Sequence, residues 1–223
     1  MPVCEAEAPA RRARLGGLYV IVGGPDPVAR AEAALDGGAR VVQVRLKNAP
    51  AGEILAVTRR IVTLAAGRAL VIVNDRADLA LLAGADGVHL GDDDLPPAEA
   101  RKLLGPDLLI GRTTRTLDEA RAALAAGADH VGYGRMFGTR SKVIDAAPRG
   151  LAALRALSAA LPAPVVAIGG VGLSTVAEVA RAGAACAAVI EAVFGAPHPR
   201  DAAATLAAAF EAGRLARARE TTP

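Results

Sequence analysis

Short apolar runs alternate along the chain with longer stretches of Ala, Leu and Arg that repeat with a helical period. The runs fall at 18–22, 41–44, 70–73, 87–90, 108–111, 130–134, 165–168 and 186–190, and each predicts a strand. Helices are predicted between and after them at 28–35, 51–65, 78–82, 98–104, 117–125, 151–160, 174–181 and 201–214. Continuous apolar strands are buried on both faces, and intervening helices imply parallel pairing through right-handed crossovers. A repeat sharpens this reading: Gly38-Ala39-Arg40, Gly84-Ala85-Asp86, Gly127-Ala128-Asp129 and Gly183-Ala184-Ala185 each close a helix and open every second run. Glycine suits the left-handed position that ends a helix before the chain turns into a strand. Four units of two βα pairs predict a single (β/α)8 barrel over 18–214, shorter than the roughly 250 residues usual for that fold. A doubly wound open sheet is the alternative, but it gives no reason for a repeat spanning all eight strands. Residues 1–17 read as a disordered leader and 215–223 as a C-terminal tail.

Composition narrows the partners. Hydrophobic residues make up 52% of the chain, largely Ala, yet no apolar run approaches the length needed to cross a bilayer. Cys4 and Cys186 form neither a disulfide framework nor a Cys/His metal cluster. The leader carries Arg11, Arg12 and Arg14 without the apolar segment of a signal peptide, so a cytoplasmic protein is expected. A net charge of +3 comes from scattered Arg residues with few aromatics to stack on bases, which favours a small anionic ligand over nucleic acid. A homo-oligomer is compatible with the sequence.

In a barrel of this kind the active site lies at the C-terminal ends of the strands. The residues there are rich in chemistry: Gln43, Arg45 and Lys47; Asn74, Asp75 and Arg76; His89, Asp92, Asp93 and Asp94; Thr113 and Thr114; Arg135, Thr139, Ser141 and Lys142; Gly169 and Gly170; Glu191. The chain uses 23 Arg but only three Lys, and two of these, Lys47 and Lys142, sit at predicted strand ends. With the fork of Arg45 they suit a multiply charged phosphate, although ordinary loop lysines would look the same. Asp75 and Asp94 follow neighbouring strands and can converge. Two hard carboxylates without nearby Cys point to Mg2+, completed by water and phosphate oxygens. Asp94 alternatively caps the helix that begins after it. Gly169-Gly170 can offer bare backbone amides to a phosphate, and residues 138–145 lack apolar period and could close as a lid. His89 could contact a substrate ring or be a packed side chain, His130 reads as structural, and His198 lies in a Pro-flanked loop.

Five segments in order carry a resemblance: Gln43-Val44-Arg45-Leu46-Lys47, Asn74-Asp75-Arg76, Gly84 to Gly91 with Asp94-Leu95-Pro96, Thr139-Arg140-Ser141-Lys142, and Ala167-Ile168-Gly169-Gly170. Together they resemble the thiamine phosphate synthase family. The resemblance implies a transferase of thiamine biosynthesis. It would condense 4-amino-2-methyl-5-hydroxymethylpyrimidine pyrophosphate with 4-methyl-5-(2-hydroxyethyl)thiazole phosphate, releasing thiamine phosphate and pyrophosphate with Mg2+. It further implies that Gln43, Arg45, Lys47, Asn74, Thr113 and Lys142 hold pyrophosphate, with Arg45, Thr113 and Lys142 counted as catalytic. Asp75 and Asp94 would hold Mg2+, His89 would lie by the pyrimidine, and Thr139, Ser141 and Gly170 would take the thiazole phosphate, with Gly169 beside them as a further substrate-binding residue.

The sequence departs from the family pattern at Leu46, Asp92, Thr113, Arg135, Ser141 and Val143, and most of all at Glu191, where Ser is typical. A carboxylate beside a phosphate is repulsive unless a cation neutralises it. Two other readings remain open: a related thiazole tautomerase, for which Arg135 is a poor acid/base, and a non-catalytic barrel that binds a phosphorylated ligand.

Overall fold

A computed structural model describes residues 11–138 and 148–221. The strands are β1 (Gly17–Val22), β2 (Val41–Val44), β3 (Leu70–Asn74), β4 (Gly87–Leu90), β5 (Leu109–Thr114), β6 (His130–Gly134), β7 (Val165–Ile168) and β8 (Cys186–Val189). The helices are α1 (Pro27–Asp36), α2 (Ala51–Ala65), α3 (Ala77–Ala83), α4 (Pro97–Leu104), α5 (Leu117–Ala125), α6 (Gly150–Ala160), α7 (Val176–Arg181), α8 (Glu191–Phe194) and α9 (Pro199–Thr221). The eight strands pair in chain order as a closed parallel barrel, with β8 returning to β1. Going round it, the register of inward residues advances by two at β3/β4, β5/β6, β6/β7 and β8/β1, and by none at the other pairs. That totals the shear of eight that lets eight strands close around a packed interior.

The glycines of the repeat, Gly38, Gly84, Gly127 and Gly183, all have positive φ, between 69 and 103°. Each helix therefore ends where the sequence placed the turn. Three elements differ from expectation. β5 runs on to Thr114, because Thr113 and Thr114 are β-branched and continue the ladder with Gly132 and Tyr133. The four-residue α8 stands between β8 and the last helix. Helix α9 continues to Thr221 instead of stopping at 214, held by the Arg214–Glu211 pair on its own surface and by Glu220 reaching Arg181 of α7.

Alternate strand residues divide between two cores. Val20, Val42, Val71, Ile110 and Val131 face the helices, while Tyr19, Ile21, Leu70, Ile72, Leu109 and Val166 fill the barrel interior. On the β4 to β6 side the interior holds two imidazoles. His89 and His130 lie with ring centroids 6.1 Å apart, in space left by Gly111 and Gly132. Desolvation inside the barrel pushes His89 down from its ordinary value of 6.5 to about 4 and His130 to about 3.

The N-terminal end of the barrel is latched. Asp86 and Asp129, the third positions of two repeats, accept the backbone N–H of the preceding strand, from Val71 at 2.8 Å and Ile110 at 2.7 Å. Asp129 is buried and also pairs with Arg101 at 2.6 Å and with Arg12, while Arg11 reaches Asp86 at 3.3 Å. Residues 11–16, expected without structure, thus lie against the barrel floor, with a helical turn at 11–13 and Leu15 packed into the interior cluster. The apolar Leu15 and two arginines facing two acids explain the docking. Residues 1–10, Cys4 among them, lie outside the described residues.

Two outcomes are expected. Asp129→Ala removes a buried carboxylate that two guanidiniums and an amide share, and should lower the unfolding free energy by about 3 kcal/mol in urea titrations. Both imidazoles bind a proton more weakly folded than unfolded, so protonation leaves stability untouched above pH 6.5 and lowers it progressively as pH falls through about 4 for His89 and about 3 for His130. Urea midpoints should accordingly be lower at pH 5 than at pH 7.5, and His130→Phe should narrow the difference.

Candidate active site at the C-terminal mouth

Four side chains rise on the inner wall from β2 to β5. Gln43 is buried, and its Nε2 donates to the Tyr19 hydroxyl at 2.7 Å. Burial raises the Tyr19 phenol well above its usual range, so it stays protonated. Asn74 ends β3 as the Cα partner of His89, and His89 Nε2 meets the Thr113 hydroxyl at 3.0 Å. Thr113 is therefore a wall residue within β5 and not part of the loop after it. Thr114, one residue on, points the other way and is buried.

Above this wall two carboxyls meet. Asp75 takes a left-handed backbone, φ 65°, directly after β3, and its N–H donates to His89 O at 2.8 Å. A non-glycine residue held there is strained, and such strain clusters at working sites. Its carboxyl faces that of Asp94 closely enough to be perturbed by it. Desolvation raises the Asp75 pKa, the Asp94 carboxyl raises it further, and the charges of Lys47 and Arg45 pull it partly back. Asp94 accepts the Gly91 N–H at 2.6 Å, whereas the residue before α4 is Pro96, with no side-chain cap. Helix capping is thus not the role of Asp94. A cavity of about 310 Å3 opens between the ends of β2 and β3, with Lys47, Asn74 and Asp75 at its polar side and Val44, Leu46 and Ile54 as its apolar wall.

Across the mouth, residues 136–138 run alongside the end of β7. Met136 and Phe137 donate to Ile168 O and Gly169 O, each at 2.9 Å. Gly170 has φ 70°, and a Cβ there would fall 2.3 Å from Gly138 O, so no other residue allows this approach. Thr139, Ser141 and Lys142, with nearly all of the expected lid, lie outside the described residues. Glu191 is the exposed first residue of α8, where an acid suits the helix dipole. Its Oε2 would stand 3.3 Å from a Cβ on Gly195, so the carboxylate lies along its own helix.

The structure thus brings Gln43, Arg45, Lys47, Asn74, Asp75, His89, Asp94 and Thr113 to one side of the mouth, and Gly169 and Gly170 to the other. Two contributors were missed from sequence. Tyr19 orients Gln43, and its only signal is its two-residue phase with Ile21. Arg112 donates to Gly91 O and so braces the turn that carries Asp94; a lone Arg inside an apolar strand was the available sign. Among the described residues no group of three or more His, Cys, Asp or Glu converges, and no helix is long and apolar enough to cross a membrane.

The chain is similar to known proteins along nearly its whole length. The family described as thiamine monophosphate synthase matches residues 18–193. The thiamine-phosphate synthase of Anaeromyxobacter dehalogenans is 75% identical over 97% of this chain and 98% of its own length. That of Myxococcus xanthus is 50% identical over 84% and 87%. Among solved structures, a thiamine phosphate pyrophosphorylase from Pyrococcus furiosus superposes with a TM-score of 0.81 at 36% identity, covering 90% of this chain and 98% of that one. A 3-hexulose-6-phosphate synthase, at 21% identity and a TM-score of 0.65, shares the fold. On a match spanning nearly the whole barrel, the chain belongs to the thiamine monophosphate synthase family.

Proposed function

We propose that this chain, a transferase of that family, joins 4-amino-2-methyl-5-hydroxymethylpyrimidine pyrophosphate to 4-methyl-5-(2-hydroxyethyl)thiazole phosphate, yielding thiamine phosphate and pyrophosphate. The observation that carries the reading is the Asp75–Asp94 pair beside Arg45 and Lys47 at the ends of β2, β3 and β4. In this reaction the bond between the pyrimidine methylene and the pyrophosphate oxygen breaks, and its electron pair leaves with pyrophosphate. The thiazole nitrogen then supplies the pair for the new C–N bond. No proton need move to a protein base, so the residues act by charge and by excluding water.

Arg45 and Lys47 offer positive charge to the departing pyrophosphate, with Asn74, Gln43, Thr113 and Lys142 as its further partners. The two facing carboxyls fit a divalent cation. Desolvation raises the Asp75 pKa and the Asp94 carboxyl raises it further, a burden a cation would relieve, and two acids with no third His, Cys, Asp or Glu converging on them among the described residues suit Mg2+, which keeps waters and takes phosphate oxygens. Bound there, Mg2+ would supply Lewis-acid stabilisation of the leaving group. His89, neutral at working pH because its pKa lies near 4, puts no positive charge beside a pyrimidine methylene that becomes cationic. Thr139, Ser141, Gly169 and Gly170 take the thiazole phosphate in this reading, and Glu191 is tolerated because its carboxylate lies along α8. The work belongs in the cytoplasm, where Cys186 stays a thiol.

Purified protein mixed with both substrates should form thiamine phosphate, followed by its fluorescent oxidation product, with Mg2+ and not with EDTA. Absence of product from folded protein and intact substrates would turn the assignment toward a tautomerase or a binding-only barrel. Asp75→Ala and Asp94→Ala should each reduce Mg2+-supported turnover at least about 100-fold with the fold retained by circular dichroism; unchanged turnover in both would remove the metal assignment. Glu191→Ser should lower the KM for the thiazole phosphate by up to about 5-fold, the size of one screened like charge, and leave the pyrimidine KM in place.

A further inference from the structure

Strands β4, β5 and β6 present three residues side by side on the inner face. His89 is the Cα partner of Gly111, and Gly111 is the Cα partner of His130. The middle position has no side chain, and both imidazoles lean toward the gap. A Cβ built on Gly111 would meet His130 Nε2 at 2.3 Å and His89 Nδ1 at 2.7 Å, so these nitrogens stand no more than 5.0 Å apart. The ring planes are tilted by 38° and do not stack.

His130 is fully buried, and among the described residues neither of its ring nitrogens has a hydrogen-bond partner. The neighbouring Asp129 cannot serve it, since strand alternation sends that carboxylate to Arg12, Arg101 and the Ile110 N–H. An imidazole buried without partners is costly, and a phenyl ring would fill the same space without that cost. Such a group calls for a ligand, a water or a working role. Nitrogens no more than 5.0 Å apart are within reach of one bridging water, since two hydrogen bonds of about 2.8 Å meeting at a tetrahedral angle span roughly 4.6 Å.

We propose that His130 is a positioning residue for His89. One buried water, bonded to His130 Nε2 and His89 Nδ1 across Gly111, fixes which nitrogen of His89 carries the proton, while the Thr113 hydroxyl holds Nε2 at the other end. His89 then meets the aminopyrimidine in one tautomer and one ring orientation. The proposal rests on the placement of His89 by the pyrimidine given above. It adds a residue at the start of β6, below the mouth, that touches no substrate.

The chain has three histidines, so 15N-histidine labelling reads His89 directly, and His130→Phe leaves only His89 and His198 to assign. In substrate-free native protein the two ring nitrogens of His89 should give the well-separated shifts of one tautomer. In His130→Phe they should move toward the average of a mixture, although the protein melts at or above the native temperature. The KM for the pyrimidine pyrophosphate should rise about 5-fold and the thiazole phosphate KM stay put, with His130→Gln recovering part of the loss because it restores a hydrogen-bonding group. Unchanged His89 shifts in folded His130→Phe would overturn the proposal. Should that variant not fold, a crystal structure of the native protein decides, and a dry gap between the two rings would equally overturn it. The shifts need no substrate, so a tautomer change in a chain without synthase activity would sink the proposed reaction and leave the role of His130 standing.

Discussion

Closing eight parallel strands with a shear of eight leaves each strand residue one choice, inside the barrel or against the helices, and everything at the mouth inherits that choice. The constraint makes Gln43, Asn74, His89 and Thr113 neighbours although they come from four strands. It also explains why the interior is built from Tyr19, Leu70, Ile72 and Leu109 below and from polar groups above. A slip of one residue in any strand would exchange these two sets. The latch at the floor guards against such a slip: Asp86 and Asp129 each grip the backbone of the preceding strand, and Arg11, Arg12 and Arg101 neutralise them where burial would otherwise be unfavourable.

The two ends of the barrel therefore handle charge differently. At the floor every buried acid has its cation, and the pairing stabilises. At the mouth Asp75 meets another acid, holds a left-handed backbone and has its pKa raised, all of which cost stability. Such an arrangement suits a site that receives a further positive charge, as the proposed reaction asks. That contrast, read without reference to any relative, separates structural carboxylates from working ones in a chain where all four follow or precede a strand.

Strands and helices were legible because their signals are local: apolar runs four to six residues long, and a glycine that must turn left-handed before every second strand. The strand-end rule then gathered most of the site, since a closed barrel converts position in the chain into position at the mouth. What escaped depends on contacts that no local pattern encodes. Tyr19 looks like any strand aromatic until the register puts its hydroxyl against Gln43. Arg112 braces Gly91 from the next strand. Residues 11–16 look like a leader because the acids that hold them lie more than seventy positions away. The direction of the Glu191 carboxylate along α8 is likewise absent from the sequence, which gives only its charge.

His130 shows the same limit from the other side. A histidine at a strand start is unremarkable in sequence, and its meaning comes from Gly111, a residue whose importance lies in the side chain it lacks. The glycine admits two imidazoles to one rung, and desolvation there keeps both neutral. Neutral walls keep positive charge away from the carbon cation of the proposed reaction. Arg45 and Lys47 stand at the end of β2, where the leaving group would depart in the proposed reaction, and Asp75 and Asp94 follow β3 and β4. The β4 to β6 wall, next to the developing positive charge in the proposed reaction, carries no charge on its inner face. Any side chain at 111 would collide with the two imidazoles, and a charged one at 130 would break that electrostatic division.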